Sequence, residues 1–374
     1  MKNTKQYLAL FIGLICLVFT SFTYASHAEK TEKHGEVHEE KHGAQGEVDT
    51  PEEIREYILH HTHDSHYFTL YTDGKTGHHV GFALPIIFFD KGLHLFSAAN
   101  FNYEEAVAED GGSFYKLHHG KIYKTNKEGV LRMDDKHHPL NFKVIDLSIT
   151  KSVLGMMIVG LFMLFFFVRL ARGYRKGPIP TGLGRALEPL VLYVRDEIAR
   201  PNIGEHKYKK FMPFLLTVFF FIWILNLLGL TPFGFNVTGN IAVTLCLALF
   251  TFFIVQFSAN KAYWGHIFWM PGVPVPMKIV LAPIEVLGMF TKPFSLTIRL
   301  FANIISGHIV LMSLIALMIT LKATFGPVAS TGMSVFLSLF IMLIELLVAF
   351  LQAFIFTMLS SLFIGMAVAD HDHH

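Results

Sequence analysis

The chain alternates between one long polar stretch and a series of long apolar segments. Five apolar segments occur after the polar stretch, at roughly 147 to 170, 211 to 230, 241 to 258, 279 to 321 and 333 to 367. A membrane-spanning helix needs ~20 apolar residues because the hydrocarbon core is ~30 Å thick. The first three segments have about this length and predict simple membrane spans.

The last two segments are too long for simple spans. At ~1.5 Å per residue, a helix from 279 to 321 would be ~60 Å long, about twice the hydrocarbon thickness. It must tilt steeply, bend or split, and Pro283 and Pro293 offer bend points. The short sequence TFGPVASTG joins the two segments. We therefore predict an all-α membrane protein with about five membrane helices, of which the last two form a long, strongly tilted antiparallel hairpin.

The polar stretch before the first span has the pattern of a small folded domain. Residues 67 to 145 contain short runs of β-branched and aromatic residues around turn signals at Asp73-Gly74 and Glu128-Gly129. Such runs are typical of strands and hairpins. This part predicts a small β-containing domain outside the membrane, followed by a membrane domain over 146 to 368.

The first 25 residues resemble a cleaved secretory signal peptide. Lys2 and Lys5 precede an apolar run from Tyr7 to Phe19, and small residues follow around Ala25. This run is short for a membrane span, although a retained first membrane helix is the alternative. Either interpretation predicts that the β-containing domain is exported.

Histidine is dense in the polar part of the chain. Residues 26 to 66 are charged, of low complexity and predicted to be disordered, and the tail 369 to 374 is also His-rich. Histidines occur at 34, 38, 42, 60, 61, 63 and 66, and as pairs at 78 and 79, 118 and 119, and 137 and 138. One interpretation is a metal-buffering segment, because neutral imidazoles bind zinc, copper or nickel. The other is a solvated, pH-responsive surface, because no spacing resembles a closed ligand set.

Composition and charge narrow the class of protein. Hydrophobic residues make up 52% of the chain, charged residues 16%, and the net charge is only +2, which is typical of a membrane protein and gives no basic surface for nucleic acid. The two cysteines, Cys16 and Cys246, exclude a disulfide framework or a CxxC metal site. No cofactor site is predicted.

Basic residues predict the orientation of the spans. They close the first span and open the second, so the connection between them is expected in the cytoplasm, at Arg169, Arg172, Arg175, Lys176, Lys207, Lys209 and Lys210. The amino-terminal domain is then outside and the carboxyl terminus cytoplasmic, in a multi-pass membrane protein. Within the connection, GRALEPLVLYVRDEIAR is amphipathic and predicts an interfacial helix.

Polar residues in the fourth and fifth apolar segments are sorted to single helix faces. At about 100° per residue, one narrow arc of the fourth segment carries Glu285, Lys292, Ser295, Arg299, Asn303 and Ser306. The fifth segment has a second stripe at Ser338, Glu345 and Gln352. His308 lies about half a turn from Arg299. Both arms of the predicted hairpin therefore carry ionisable groups at membrane depth.

Structural explanations exist for several of these residues. Ser306 and Ser338 are candidates for simple hydrogen bonds between helices, Lys292 for snorkelling to the interface, and Glu285 for hydration near a helix entrance. Arg299 could pair with Glu345. Against this, a buried charge costs about 3 kcal/mol or more on insertion scales and usually marks an ion path.

The chemistry of the stripe favours proton exchange. Arginine does not release its proton and so acts as a fixed cation, whereas His308 and Glu345 can both titrate. A fixed cation flanked by titratable groups predicts a station at which protons exchange with a moving carboxylate supplied by another subunit.

These residues resemble subunit a of the membrane sector of rotary F-type ATP synthases. The signature around the family's essential arginine is matched by Lys292, Pro293, Ser295, Leu296, Arg299, Leu300, Phe301, Asn303 and Gly307. NLLGLTP at 226 to 232 and LQAFIF at 351 to 356 match further motifs in order. The resemblance covers about residues 145 to 368.

The resemblance implies roles for individual residues. Arg299 is expected to meet the carboxylate of a rotating ring of c subunits and to separate two half-channels. His308 and Glu345 match the family's histidine and acid pair, in the order opposite to some members, and Gln352 matches a polar residue near the arginine. Asn303, Ser295 and Glu285 match positions of the cytoplasmic access path. Where some members have acids at the outer ends of spans, this chain has Asn226 and Asn240.

The resemblance thus implies a non-catalytic, proton-translocating stator subunit that works with the c ring, the b-subunit peripheral stalk and the other subunits. A His-rich divalent-metal transporter is the alternative, but it would need ligands inside the spans, where His308 is the only deep histidine. A receptor with an exported sensor domain would not explain the overlong hairpin. Sodium instead of proton coupling is left open.

Overall fold

The computed structural model describes residues 64–72, 79–102, 106–118, 120–134, 139–174, 183–231, 237–270 and 272–369. These residues form two compact units that divide between Leu154 and Gly155. The predicted signal peptide, the His-rich segment up to residue 63, the Asp73-Gly74 turn and the tail from residue 370 lie outside the described residues.

The first unit is built from eight described strands and one 3-10 turn. A two-stranded sheet pairs β1 (Tyr67–Thr72) with β2 (His79–Ala83). A second sheet has the order β4-β3-β8, with β3 at Pro85–Phe89, β4 at Leu93–Ser97 and β8 at Ile145–Asp146. A third has the order β5-β6-β7, with strands at Val107–Asp110, Ser113–His118 and Lys121–Thr125. The 3-10 turn is Ala98–Phe101. The predicted β-containing region is therefore present.

Strand alternation gives this unit its core. Ile86 and Phe88 on β3 are fully buried and pack with Phe101, Tyr115 and Ile122. The residues between them on β3 point to the other side of the sheet, because side chains alternate along a strand. Only one face of the β4-β3-β8 sheet therefore belongs to the core.

The second unit is helical, and its first helix begins at the end of the first unit. In chain order the helices are α1 (Lys151–Tyr174), α2 (Leu183–Tyr193), a π-helical turn (Val194–Ala199), α3 (Arg200–Ile203), α4 (Tyr208–Gly229), α5 (Ile241–Ser258), α6 (Lys261–Phe268), α7 (Val275–Phe325) and α8 (Pro327–Val368). Five of them, α1, α4, α5, α7 and α8, are long and apolar enough to cross a membrane. The five predicted spans are thus confirmed, whereas the short helix α6 was not predicted.

The last two helices form the predicted hairpin with a tighter turn than expected. α7 runs without interruption through Pro283 and Pro293, and only Gly326 separates it from α8. Gly326 has φ 78, a left-handed conformation that glycine adopts at little cost, and Pro327 starts the next helix. Most of TFGPVASTG is therefore helical. At ~1.5 Å per residue, the 51 residues of α7 span ~77 Å, so this helix cannot stand along the normal of a ~30 Å hydrocarbon layer.

The second half of α8 is held by close packing of small residues. Ala349 and Ala353 are buried, and a Cβ added to Gly365 would collide with the backbone carbonyl of Asn202. The Ser361 hydroxyl donates to the carbonyl of Ile198 at 2.9 Å. The segment predicted to be an interfacial helix is helical as α2, the π-helical turn and α3, with the π turn just before Pro201.

Candidate functional site

The polar residues predicted to form a stripe lie on one uninterrupted helix, α7. Ser295, Asn303 and Ser306 are exposed at its surface, whereas Glu285, Lys292 and Arg299 are half-buried. Because the helix is continuous through Pro293, the expected 100° spacing applies along the whole stripe. The side chain of His308 lies outside the described part of the structure, although its backbone belongs to α7.

Arg299 has no ion pair with a described carboxylate. Among the described residues, no salt bridge within 4.0 Å involves Glu285, Lys292, Arg299 or Glu345. The internal Arg299–Glu345 pair considered from the sequence is therefore not formed. A half-buried guanidinium in a membrane helix needs water or an acid from elsewhere to balance its charge.

Asn303 and Gln352 join the two polar stripes. The side-chain amide of Asn303 donates to Oε1 of Gln352 at 2.8 Å. Gln352 is only 2% exposed, so this bond satisfies an oxygen that would otherwise be buried without a partner. The contact places the polar face of α8 against α7 one turn beyond Arg299.

Glu345 lies against the backbone of α7 at Gly307. A Cβ added to Gly307 would overlap the carboxyl group of Glu345, so the close approach depends on glycine. The next residue along α7 is His308. The structure thus brings Glu345 of α8 to the turn of α7 that carries His308. In the sequence, Gly307 was the signal that another group approaches the helix closely at this point.

Lys292 faces a small cavity between α5, α6, α7 and α8. Thr251, Gln256, Tyr263, Lys292 and Phe363 are among its lining residues. The ammonium of Lys292 lies 5.3 Å from the ring centroid of Phe363, a cation-π contact. Oε1 of Gln256 is buried with no hydrogen-bond partner among the described residues. Sequence reasoning missed Gln256 and Thr251, because single polar residues within apolar α5 have no periodic pattern.

The two asparagines singled out in the sequence, Asn226 and Asn240, have structural partners. Asn226 is buried, donates to the carbonyl of Ala349 at 3.4 Å and accepts from the Thr238 hydroxyl at 2.9 Å. Asn240 caps α5, because its side-chain oxygen accepts from the amide of Ala242 at 3.0 Å. Asn226 therefore ties α4 to α8, and Asn240 fixes where α5 begins.

The first unit contains a separate polar network around Asp90. Its carboxylate accepts from Lys124 Nζ at 2.6 Å and from the Tyr115 hydroxyl at 3.0 Å. The hydrogen bond from Lys124 holds the pKa of Asp90 below its usual value and raises the pKa of Lys124. The His94 ring contacts Asp110 at 2.8 Å and the Asp90 carbonyl at 3.0 Å, and the bond to Asp110 raises the pKa of His94.

The histidines that the structure describes do not form a metal centre. The described residues contain no group of three or more His, Cys, Asp or Glu side chains that could hold a metal ion. Buried His66 instead contacts the Asp146 carboxylate at 3.3 Å within the first unit. Most of the other histidines counted in the sequence lie outside the described residues.

Comparison with known proteins identifies the helical unit. The family model for the ATP synthase A chain matches residues 153–365, more than half of the chain. The chain belongs to the ATP synthase A chain family. The match begins within α1 and ends near the end of α8, so it includes all five candidate spans.

Proteins named ATP synthase subunit a are similar to this chain over more than half of its length. ATP synthase subunit a 2 of Chlorobaculum tepidum is 47% identical over 280 residues, which cover 72% of this chain and 77% of the relative. ATP synthase subunit a of Pelodictyon phaeoclathratiforme is 49% identical, covering 61% and 68%. That of an Anaeromyxobacter species is 39% identical, covering 68% and 61%.

The resemblance to subunit a of bacterial F-type ATP synthases is therefore confirmed. As a family member, this chain is a multi-pass membrane component of an F-type ATP synthase and takes part in ATP synthesis and proton transport. A second family model, for a domain of unknown function (DUF8433), matches residues 57–147. This match covers the β-containing unit but assigns it no role.

Proposed function

We propose that this chain is the stator subunit that conducts protons along the hairpin of α7 and α8 and couples their flow to a rotating ring. The observation that carries the proposal is Arg299, a fixed cation on a membrane helix, half-buried and without a described carboxylate partner. Arginine stays protonated, so it cannot relay protons itself. It would instead force an arriving carboxylic acid of a c subunit to ionise.

Two half-channels would supply and remove the protons on either side of Arg299. Glu345 and His308 can both titrate, and the contact of Glu345 with Gly307 supports their pairing on the entry side. On the exit side, Asn303, Ser295 and Glu285 would lead to the cytoplasm, with Lys292 beside the cavity at α5. The Asn303 to Gln352 bond would keep α8 in place next to the exchange point.

The exposed apolar surface of the hairpin supports the proposal that this chain contacts a protein partner in the membrane. Large apolar residues are exposed along the first half of α8, including Phe336, Leu339, Phe340, Leu343 and Leu347. A long oblique helix pair offers a lateral surface along which a cylinder of c-subunit helices could turn. The b subunits of the peripheral stalk would hold the chain against that rotation. The chain itself would catalyse no covalent chemistry.

The proposed orientation follows the basic residues of the sequence. The connection between α1 and α4 would face the cytoplasm, where Arg200 pairs with Asp196 at 2.9 Å and with Glu205 at 3.2 Å. The β-containing domain, after a signal peptide of about 25 residues and the His-rich segment, would lie in the periplasm. The His-rich tail would lie in the cytoplasm of a bacterium, below its inner membrane.

Arg299→Ala tests the proposal, with Arg169→Ala on α1 as the matched control. Inverted membrane vesicles containing the whole ATP synthase are given ATP, and acidification of the lumen is followed with a pH-sensitive dye. We expect the Arg299 variant to assemble with its partner subunits but to lose ATP-driven acidification, while the Arg169 variant keeps it. Normal acidification by an assembled Arg299→Ala complex would refute the proposal.

A further inference from the structure

The outer face of the β4-β3-β8 sheet is apolar and exposed. Register pairs Phe89 with both Leu93 and Ile145, and Ile87 with Leu95, so these side chains lie on the same face. Leu93 is 70% exposed, Leu95 66% and Phe89 52%. We name this surface the outer sheet face, defined by Ile87, Phe89, Leu93, Leu95, Ile145 and Leu147.

A sheet with two apolar faces needs a cover on both. The inner face carries Ile86 and Phe88, which are fully buried in the core of the unit. An antiparallel sheet with one side in water normally alternates apolar and polar residues, and here that alternation fails. A contiguous exposed apolar patch on a folded domain marks an interaction surface.

Only a few residues connect the outer sheet face to the first membrane helix. Leu147 N donates to the Ile87 carbonyl at 2.8 Å and Ile149 N to the Pro85 carbonyl at 3.2 Å, so the pairing of β8 with β3 continues to residue 149. Helix α1 begins two residues later at Lys151. Leu147 therefore lies at most ~14 Å from the start of a membrane span, at ~3.5 Å per extended residue.

The start of α1 is also fixed to the same unit. Oδ1 of Asp64 accepts from the amide of Ser152 at 3.1 Å, and Oδ2 accepts from the Thr150 hydroxyl at 2.8 Å. The amide of Lys151 donates to the carbonyl of Ser65 at 2.9 Å. These bonds fix the first turn of α1 to the β-containing unit, which extends to Leu154.

We infer that the outer sheet face rests on the lipid bilayer, with Phe89, Leu93 and Leu95 inserted among the lipid headgroups and upper acyl chains. The face is continuous along the chain with α1, a candidate span with few buried residues. Exposed Lys91 lies between β3 and β4, beside the paired Phe89 and Leu93. A lysine next to exposed aromatic and aliphatic side chains suits an interface with anionic phospholipid headgroups. The domain is thus a membrane-resting module.

Spin labels on the full-length chain test this inference. In a background of Cys16→Ser and Cys246→Ala, a nitroxide is attached at Leu93→Cys or Leu95→Cys, and at Glu128→Cys as the control. Glu128 is exposed but lies after β7, outside the β4-β3-β8 sheet. The proteins are reconstituted in phosphatidylethanolamine and phosphatidylglycerol bilayers, and collisions of each label with oxygen and with a water-soluble nickel chelate are measured.

If the face rests on lipid, the labels at 93 and 95 will collide more with oxygen and less with nickel than the label at 128. Nickel collisions equal to those of the control would show a face in water and overturn the inference. Labels shielded from both reagents would show a protein cover and also overturn it, and label-to-label distances would then identify a second copy. All three label sites are exposed, so labelling should not disturb the core. A changed spectrum of the label at 128 would reveal a misfolded variant.

Discussion

Asn303 donates a hydrogen bond to Gln352 across the two longest helices of the chain, at 2.8 Å between Nδ2 and Oε1. The donor is an exposed residue of the polar stripe of α7, and the acceptor is almost completely buried on α8. The bond therefore holds a surface residue next to Arg299 in one position. It also fixes the sequence offset at which the two helices meet.

The first prediction concerns this bond. Asn303→Ala and Gln352→Ala should each destabilise the hairpin, and a double-mutant cycle should give a coupling of about 0.6 kcal/mol, the mean for hydrogen bonds between membrane helices. Unfolding of the purified chain in mixed micelles measures it. Ser295→Ala, on the same stripe but without a hydrogen bond to a described residue, should not couple with Gln352→Ala. An equally large coupling between Ser295→Ala and Gln352→Ala would mean that the hydrogen bond from Asn303 to Gln352 has no specific role.

The second prediction concerns the contact between Gly307 and Glu345. Gly307→Ala places a methyl group where the Glu345 carboxyl group lies, so the carboxyl group must move and ATP-driven proton pumping should fall several-fold. Gly288→Ala, on the same helix, meets nothing within 4 Å and should keep normal pumping. Both changes raise helix propensity by about the same amount, up to ~1 kcal/mol, so the comparison isolates the contact. Equal pumping by the two variants would contradict it.

The third prediction concerns Asp64, which caps α1 from 88 residues away along the chain. Asp64→Ala removes the acceptor for the amide of Ser152 and should destabilise the start of α1 by about 1 kcal/mol. Hydrogen exchange of the amides in the first turn of α1 should become faster. Asp134→Ala, an exposed carboxylate of the same unit, is the control and should leave these rates unchanged.

The fourth prediction concerns pH and the network at Asp90 and His94. The raised pKa of His94 means that its stabilisation is complete below the usual histidine value of ~6.5 and is lost as the pH rises through the raised pKa. The lowered pKa of Asp90 means that its stabilisation is complete above ~3.9 and is lost as the pH falls through the lowered pKa. The network should therefore stabilise the domain most in weakly acidic solution.

Hydrogen exchange of β4 and β6, corrected for the intrinsic effect of pH, measures this dependence. Protection should fall in the wild type as the pH rises through the raised pKa of His94. It should fall less in His94→Gln, which cannot titrate. Asp110 is partly exposed, so solvent screens the pair and the effect should be small. If His94→Gln shows the same pH dependence as the wild type, groups other than His94 cause that dependence.

The sequence was sufficient for the membrane helices and for the stripes. Length and hydropathy depend on the bilayer alone, so α1, α4, α5, α7 and α8 could be predicted without knowing their neighbours. The turn of the hairpin was predicted too long. The reason is that Ala329, Ser330 and Thr331 have no pattern that separates a loop from a helix, and only the backbone at Gly326 reveals where the chain reverses.

Contacts between elements were less accessible to sequence reasoning. Nothing in the pattern around Gly307 indicates which α8 side chain lies over it, because that depends on the offset between the helices. The cap of α1 by Asp64 joins residues far apart in the chain, and capping signals are read from neighbours in sequence. The β-branched and aromatic residues of β3 and β4 predicted strands, but not that both sheet faces would be apolar.

The single-residue turn at Gly326 makes the proposed ion path sensitive to chain length. Gly307 and Glu345 are each nineteen residues from Gly326. The two residues meet because both helices start from this one turn and have the same length up to the contact. Adding one residue to either arm would rotate everything beyond it by about 100° and turn one polar stripe away from the other. In evolution, the two helices of this hairpin can therefore accept substitutions far more readily than insertions or deletions.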